Sequence, residues 1–179
     1  MSSLNATAIT PPILAKMSLE SYLKNHTNIK TPDNLPNYLQ LKAGCFVSLK
    51  TKQGDLRGCI GTLFPVCNNV AEEILRNAIQ AATQDYRFKP VTLEELDNLT
   101  YSVDILSPLE PIKDLTNHDV QTYGLLIEAI NGRRAVLLPA LPGIDTAEAQ
   151  LIALRHKAGI LADTPIKMSR FSVDRYGDK

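Results

Sequence analysis

The run Leu56-Arg57-Gly58-Cys59-Ile60-Gly61-Thr62 constrains the fold more than any other part of the chain. It reads as a strand, in which side chains alternate between faces, so Arg57 and Cys59 point the same way. Gly58 and Gly61 flank the cysteine and leave the backbone open to close approach. The preceding run, Cys45 to Thr51, is rich in apolar residues, and Gln53-Gly54 supplies a turn between the two. With Gln53 and Gly54 as the turn residues, Lys52 faces Asp55, and the pairs Lys50–Arg57, Ser48–Cys59 and Phe46–Gly61 follow. Val47, Leu49, Leu56 and Ile60 then make an apolar face, and Ser48, Lys50, Arg57 and Cys59 a polar one. A slip of one residue would mix the two faces, so this register is the expected one.

Cys59 has two readings. Beside Arg57 and Lys50 its thiolate is favoured and its pKa falls below the free-thiol value of about 8.5. Alternatively it packs as a small apolar side chain under a covering helix. Arg57 taken alone is more often a surface or salt-bridge residue than a ligand clamp.

At 179 residues the chain is long enough for one domain with a full hydrophobic core. Its 19 basic and 19 acidic residues cancel, which argues against general nucleic-acid binding, since that needs a cationic footprint. The cysteines Cys45, Cys59 and Cys67 match no zinc spacing, and His26, His118 and His156 are scattered, so no metal site and no cofactor site is read from the sequence. Met1 to Thr10 does not resemble a secretory signal and no apolar stretch is long enough to span a membrane, so a reduced, cytoplasmic compartment is expected.

Along the chain, Thr10-Pro11-Pro12 opens a helix to about His26, with Thr10 as its cap. Asn25 to Tyr38 reads as a loop. Asn68 or Asn69 caps a second helix to about Thr83, striped by Val70, Ile74, Ala78 and Ala81 or Ala82. Asp85 to Pro90 is a tight loop, Thr92 to Leu96 a short capped helix, and Leu99 to Ser107 a strand with Tyr101, Val103 and Ile105 on one face. Pro108 to Gln121 reads as a connector too polar for core. Tyr123 to Ile130 and Arg133 to Leu138 form a second hairpin around Asn131-Gly132, a type I′ signal, apolar on both faces and therefore covered on both. Asp145 with Glu148 opens a helix to Ala158, and Gly159 stops it. Met168 to Asp174 is a last strand. Helices and hairpins mix without strict βαβ alternation, so the class is α+β with a mixed, largely antiparallel sheet and flanking helices.

The chain resembles the AMMECR domain family, that of the AmmeMemoRadiSam system protein A. The likeness rests on Leu56 to Thr62, which fits the family motif at every position, on Gly44-Cys45-Phe46-Val47-Ser48-Leu49, and on Ala81 to Phe88. It extends to Leu137-Leu138-Pro139 and Lys157-Ala158-Gly159 and covers roughly Pro11 to Val173. Tyr86 stands where the family usually has proline, Ala140 where it has glutamine, and Arg155 where it often has cysteine. The resemblance implies a single domain over residues 1–179 with a large and a small lobe. It also implies association, at least in gene context, with a Memo-type protein and a radical S-adenosylmethionine protein. It assigns no reaction.

Three readings therefore stand. In the first, the chain is an accessory component in which Ser48, Lys50, Arg57, Gly58, Cys59, Gly61, Asp85 and Arg87 line a groove for a small anionic ligand or a partner's peptide, arginine suiting carboxylate or phosphate. The plain counter-reading is that Asp85 and Arg87 pair with each other. In the second, Cys59 is a catalytic thiol, for which no local motif supplies a base and His118 or His156 would have to serve. In the third, the chain is a protein-interaction module.

Overall fold

The structure is a computed structural model, and residues 9–177 are described. The chain is α+β and divides into two compact units. One runs to Ile105 and takes back the chain from Arg175, and the other is Leu106–Asp174.

In the first unit, α1 (Pro11–Asn25) opens with proline in its first turn and closes at His26, which adopts a left-handed conformation with φ of 53°. Thr10 occupies the cap position, but its hydroxyl makes no capping hydrogen bond. The stretch expected to be loop up to Tyr38 leads into a short helix, α2 (Asn37–Gln40). Strands β1 (Cys45–Thr51) and β2 (Leu56–Thr62) form the expected hairpin. Helix α3 (Val70–Thr83) is capped by Asn69, whose side chain accepts the Glu72 amide at 2.9 Å. A 3-10 helix, Leu93–Asn98, precedes β3 (Leu99–Leu106). The sheet order is β2-β1-β3-β8, where β8 is Val173–Gly177. Helix α3 lies on β1 and β2, and α1 lies on α3. Their shared core includes Leu14, Leu19, Val47, Leu49, Ile74, Ala78, Tyr101 and Val103.

The hairpin register departs from expectation at one end, for a physical reason. The turn is not a two-residue one. Thr51 N donates to Asp55 O and Gly54 N to Thr51 O, with Gly54 at φ 92°, so Lys52, Gln53 and Gly54 form a longer loop whose glycine supplies the left-handed residue. The extra loop residue moves Lys50 opposite Leu56. A bulge between Leu49 and Lys50 then absorbs Arg57, and beyond it the ladder returns to Leu49–Gly58, Val47–Ile60, Ser48–Cys59 and Phe46–Gly61. The expected Lys50–Arg57 pair is therefore replaced, while the Ser48–Cys59 pair stands. Leu56, on the turn side of the bulge, is exposed instead of joining the core face.

The second unit holds β4 (Glu110–Ile112), β5 (Gly124–Ala129), β6 (Arg134–Leu137) and β7 (Ile166–Phe171) in the order β4-β7-β5-β6, with α4 (Ala147–Ala158) packed on β5 and β6. The segment read as a polar connector contributes β4 to this sheet and buries His118 and Val120. The Asn131-Gly132 turn is not type I′. Gly132 has φ of 82°, Asn131 is not left-handed, and Ala129 N donates to Arg133 O, which is the loop geometry of the first hairpin again. The cap of α4 is Thr146, whose hydroxyl accepts the Ala149 amide at 3.1 Å, one residue past the expected Asp145. The single last strand is in fact two, β7 and β8, in different sheets. They part at Ser172, whose amide donates to Ser107 Oγ at 3.0 Å.

Candidate functional site

The two faces of β1 and β2 have different fates. The core face is closed by α3. A Cβ on Gly58 would stand 2.2 Å from the Ala81 carbonyl oxygen, so glycine there is what lets the helix approach the strand. On Gly61, which shares the face of Cys59, a Cβ would stand 2.3 Å from the Phe46 ring. Both glycines thus make room for the protein's own packing. Farther along α3, Glu73 is fully buried and accepts from Thr62 Oγ1 at 2.7 Å and from the Cys67 amide at 2.6 Å. Asn77 donates to the Cys45 carbonyl at 3.1 Å and to Thr62 Oγ1 at 3.2 Å. Cys45 is fully buried beside Asn77, and burial pushes its thiol up to about 12.

The opposite face carries the site. Ser48 and Cys59 face each other across the ladder, and Ser48 Oγ donates to Cys59 Sγ at 3.2 Å. On β3, Ser102 lies beside Ser48 and Asp104 beside Phe46, so both continue this face. Asp104 is buried and accepts two bonds from Arg175, at 2.7 Å from Nε and 2.9 Å from Nη2. Because β2 is an edge strand, the Cys59 amide has no neighbouring strand to meet; it donates to Asp85 Oδ2 at 2.9 Å. Asp85 is buried, and it also holds Arg87 through Nε at 2.9 Å and Nη2 at 2.7 Å. These bonds hold the Asp85 carboxyl down to about 2, the Arg87 bond being the largest cause.

The thiol of Cys59 is half-buried. Burial raises its pKa, and this outweighs the Ser48 bond and the Arg87 charge, which lower it, while Asp104 and Asp85 raise it further. Of the two readings of Cys59, the depressed-pKa one rested on Arg57 and Lys50, and neither of these is the cation beside the thiol. Arg57 is turned to the loop instead, donating to Glu95 at 2.7 Å and 3.0 Å and to the Lys89 carbonyl at 2.9 Å. That bond holds the Glu95 carboxyl below its ordinary range. Lys50 is exposed, on the turn side of the bulge.

Of the residues singled out from the sequence, the structure brings Ser48, Cys59, Asp85 and Arg87 together. It assigns Arg57 to fastening the 89–95 segment, and Gly58 and Gly61 to packing. Asp85 and Arg87 do pair with each other, as the plain counter-reading had it, but through Asp85 the pair also clasps Cys59. Asp104 and Arg175 were missed. The available signal was an aspartate on the Thr100–Ser102 face of β3, opposite the apolar Tyr101–Val103–Ile105 face. Among the described residues no cluster of three or more His, Cys, Asp and Glu side chains suits a metal ion, and no helix is long and apolar enough to cross a membrane.

A family model described as AMMECR1 matches residues 13–177. A Thermotoga maritima protein is 45% identical over 161 residues, spanning 88% of this chain and 91% of the relative. Protein CA_C1420 of Clostridium acetobutylicum is 42% identical over 170 residues, 91% of this chain but 35% of that longer relative. The crystal structure of the uncharacterized protein PH0010 from Pyrococcus horikoshii matches with a TM-score of 0.84 at 32% identity, over 94% of this chain and 90% of that one.

Proposed function

This chain belongs to the AMMECR1 family, and on that premise we propose that it is a cytoplasmic accessory component that receives a small carboxylate- or phosphate-bearing ligand on the Cys59 face. The observation that carries the reading is the fixed guanidinium of Arg87. Asp85 occupies its Nε and Nη2, which holds the guanidinium plane near Cys59 while the Arg87 side chain stays 45% exposed. A guanidinium immobilised in this way meets an anion at a lower entropic cost than a free side chain. Arg175, held by Asp104 through the same two atoms, repeats the arrangement at the far side of the sheet. A half-buried thiol that burial keeps protonated suits a contact in a binding face better than a resting nucleophile. Family likeness is what supports placing this component alongside a Memo-type protein and a radical S-adenosylmethionine protein.

The test is a titration of ¹⁵N-labelled protein with inorganic phosphate. Saturable shifts are expected at the amides of Ser48, Cys59 and Asp85 to Phe88, with loss of saturation in Arg87→Gln. Absence of saturable change at these amides contradicts the reading.

A further inference from the structure

We propose a second ligand site, in the first unit but away from the Cys59 face, for a small molecule with an apolar body and an anionic end. Where α1, the 28–31 segment and the outward face of α3 meet, they line an open cleft of about 630 Å³. That volume lies within the range of about 300–1,000 Å³ typical of small-molecule sites.

The helical period explains its two-sided chemistry. Leu75 and Ile79 are four residues apart on α3 and, with Ile29 opposite, give it an apolar lining. Arg76 follows Leu75 on the helix, and Lys30 follows Ile29 in the facing segment, so each apolar wall carries a cation next to it. Among the described residues neither cation is in an ion pair. Glu72 lies one turn before Arg76, where it would be the natural partner. Its carboxylate instead accepts the Asn68 amide at 3.0 Å and Asn68 Nδ2 at 3.2 Å, closing the start of the helix. The lining carries two cations and one carboxylate, whose Oε2 is turned to Asn68. The cleft is also held open in advance: Ser18 Oγ donates to the Leu75 carbonyl at 2.7 Å, a buried bond that fixes α1 against α3 at its wall. An apolar wall beside unpaired cations recognises an amphipathic anion, because the body is desolvated by Leu75, Ile79 and Ile29 while the charge remains at the rim.

The probe is 2-naphthoate, compared with its neutral analogue 2-naphthamide, by NMR titration of the full chain. Saturable shifts are expected at residues 28–31 and 72–84, with the amide binding at least ~5-fold more weakly than the acid. Lys30→Gln and Arg76→Gln each alter an exposed side chain. Each is expected to weaken naphthoate ~3- to 10-fold, to leave naphthamide unchanged and to leave thermal unfolding unchanged. Equal affinity for acid and amide, naphthoate binding unaffected by both substitutions, shifts located elsewhere, or no saturation by about 10 mM naphthoate each overturns the proposal.

Discussion

The Cys59 amide donates to Asp85 Oδ2 at 2.9 Å, and the same oxygen accepts Arg87 Nη2 at 2.7 Å. One carboxylate thereby closes the edge of β2 and orients the cation beside the thiol. Asp85→Asn should loosen both. The Asp85 carboxyl is depressed from 3.8 to about 2 on folding, so its stabilisation is complete above the unfolded value and is lost as pH falls through the folded one. The variant is therefore expected to be less stable than the parent by about 1–2 kcal/mol at neutral pH, discounting for the exposed Arg87 partner. Urea unfolding at several pH values should show that difference constant above pH ~4 and shrinking toward pH ~2.

Gly58→Ala tests whether the glycine serves packing. The new methyl would meet the Ala81 carbonyl of α3, a backbone atom that cannot rotate aside. A loss of about 1–3 kcal/mol or more is expected in urea unfolding. An unchanged midpoint would mean that α3 does not rest on this strand.

Arg57→Ala should release the 89–95 segment, because Glu95 and the Lys89 carbonyl lose their donor. Hydrogen exchange is expected to accelerate there, with a stability loss of about 1–2 kcal/mol. Arg57→Lys should not restore protection, since an ammonium cannot make the two-pronged bond to Glu95.

The thiols should differ in alkylation by neutral iodoacetamide. Cys45, buried and raised to about 12, is expected to stay unmodified in the folded protein. Cys59 and Cys67 are both raised above the ordinary thiol value, chiefly by burial, so their rates should still be climbing with pH beyond it. A plateau for Cys59 below pH 8 would restore the reactive-thiol reading.

The sequence made the Ser48–Cys59 pairing legible because a one-residue slip would take Val47, Leu49 and Ile60 off a common face. It did not reveal the Lys52–Gly54 loop. That loop adds a residue which the bulge at Arg57 takes out again, so two deviations cancel and leave the rest of the ladder as expected. The bulge also explains why Arg57, placed beside Cys59 by simple alternation, serves Glu95 instead. Arg87 was singled out, but its proximity to Cys59 depends on a contact between an edge strand and a loop 26 positions apart, which no local pattern encodes. Glu73 and Asn77 lie within the Val70–Ile74–Ala78–Ala81 stripe, and polar residues at those positions were a readable sign of a buried hydrogen-bonded cluster. The division of the 166–177 stretch between two sheets had only Ser172 to mark it.

The most direct test of an anion-receiving Cys59 face is a pair of alkylation rates on the same protein, with iodoacetate and with iodoacetamide. The reagents differ mainly in the carboxylate, so their rate ratio reads the local attraction for an anion at each thiol. The ratio at Cys59 is expected to favour iodoacetate by ~5-fold or more relative to the ratio at Cys67, and Arg87→Gln should abolish that preference. Equal ratios at Cys59 and Cys67, or no reaction of Cys59 with either reagent, would contradict it.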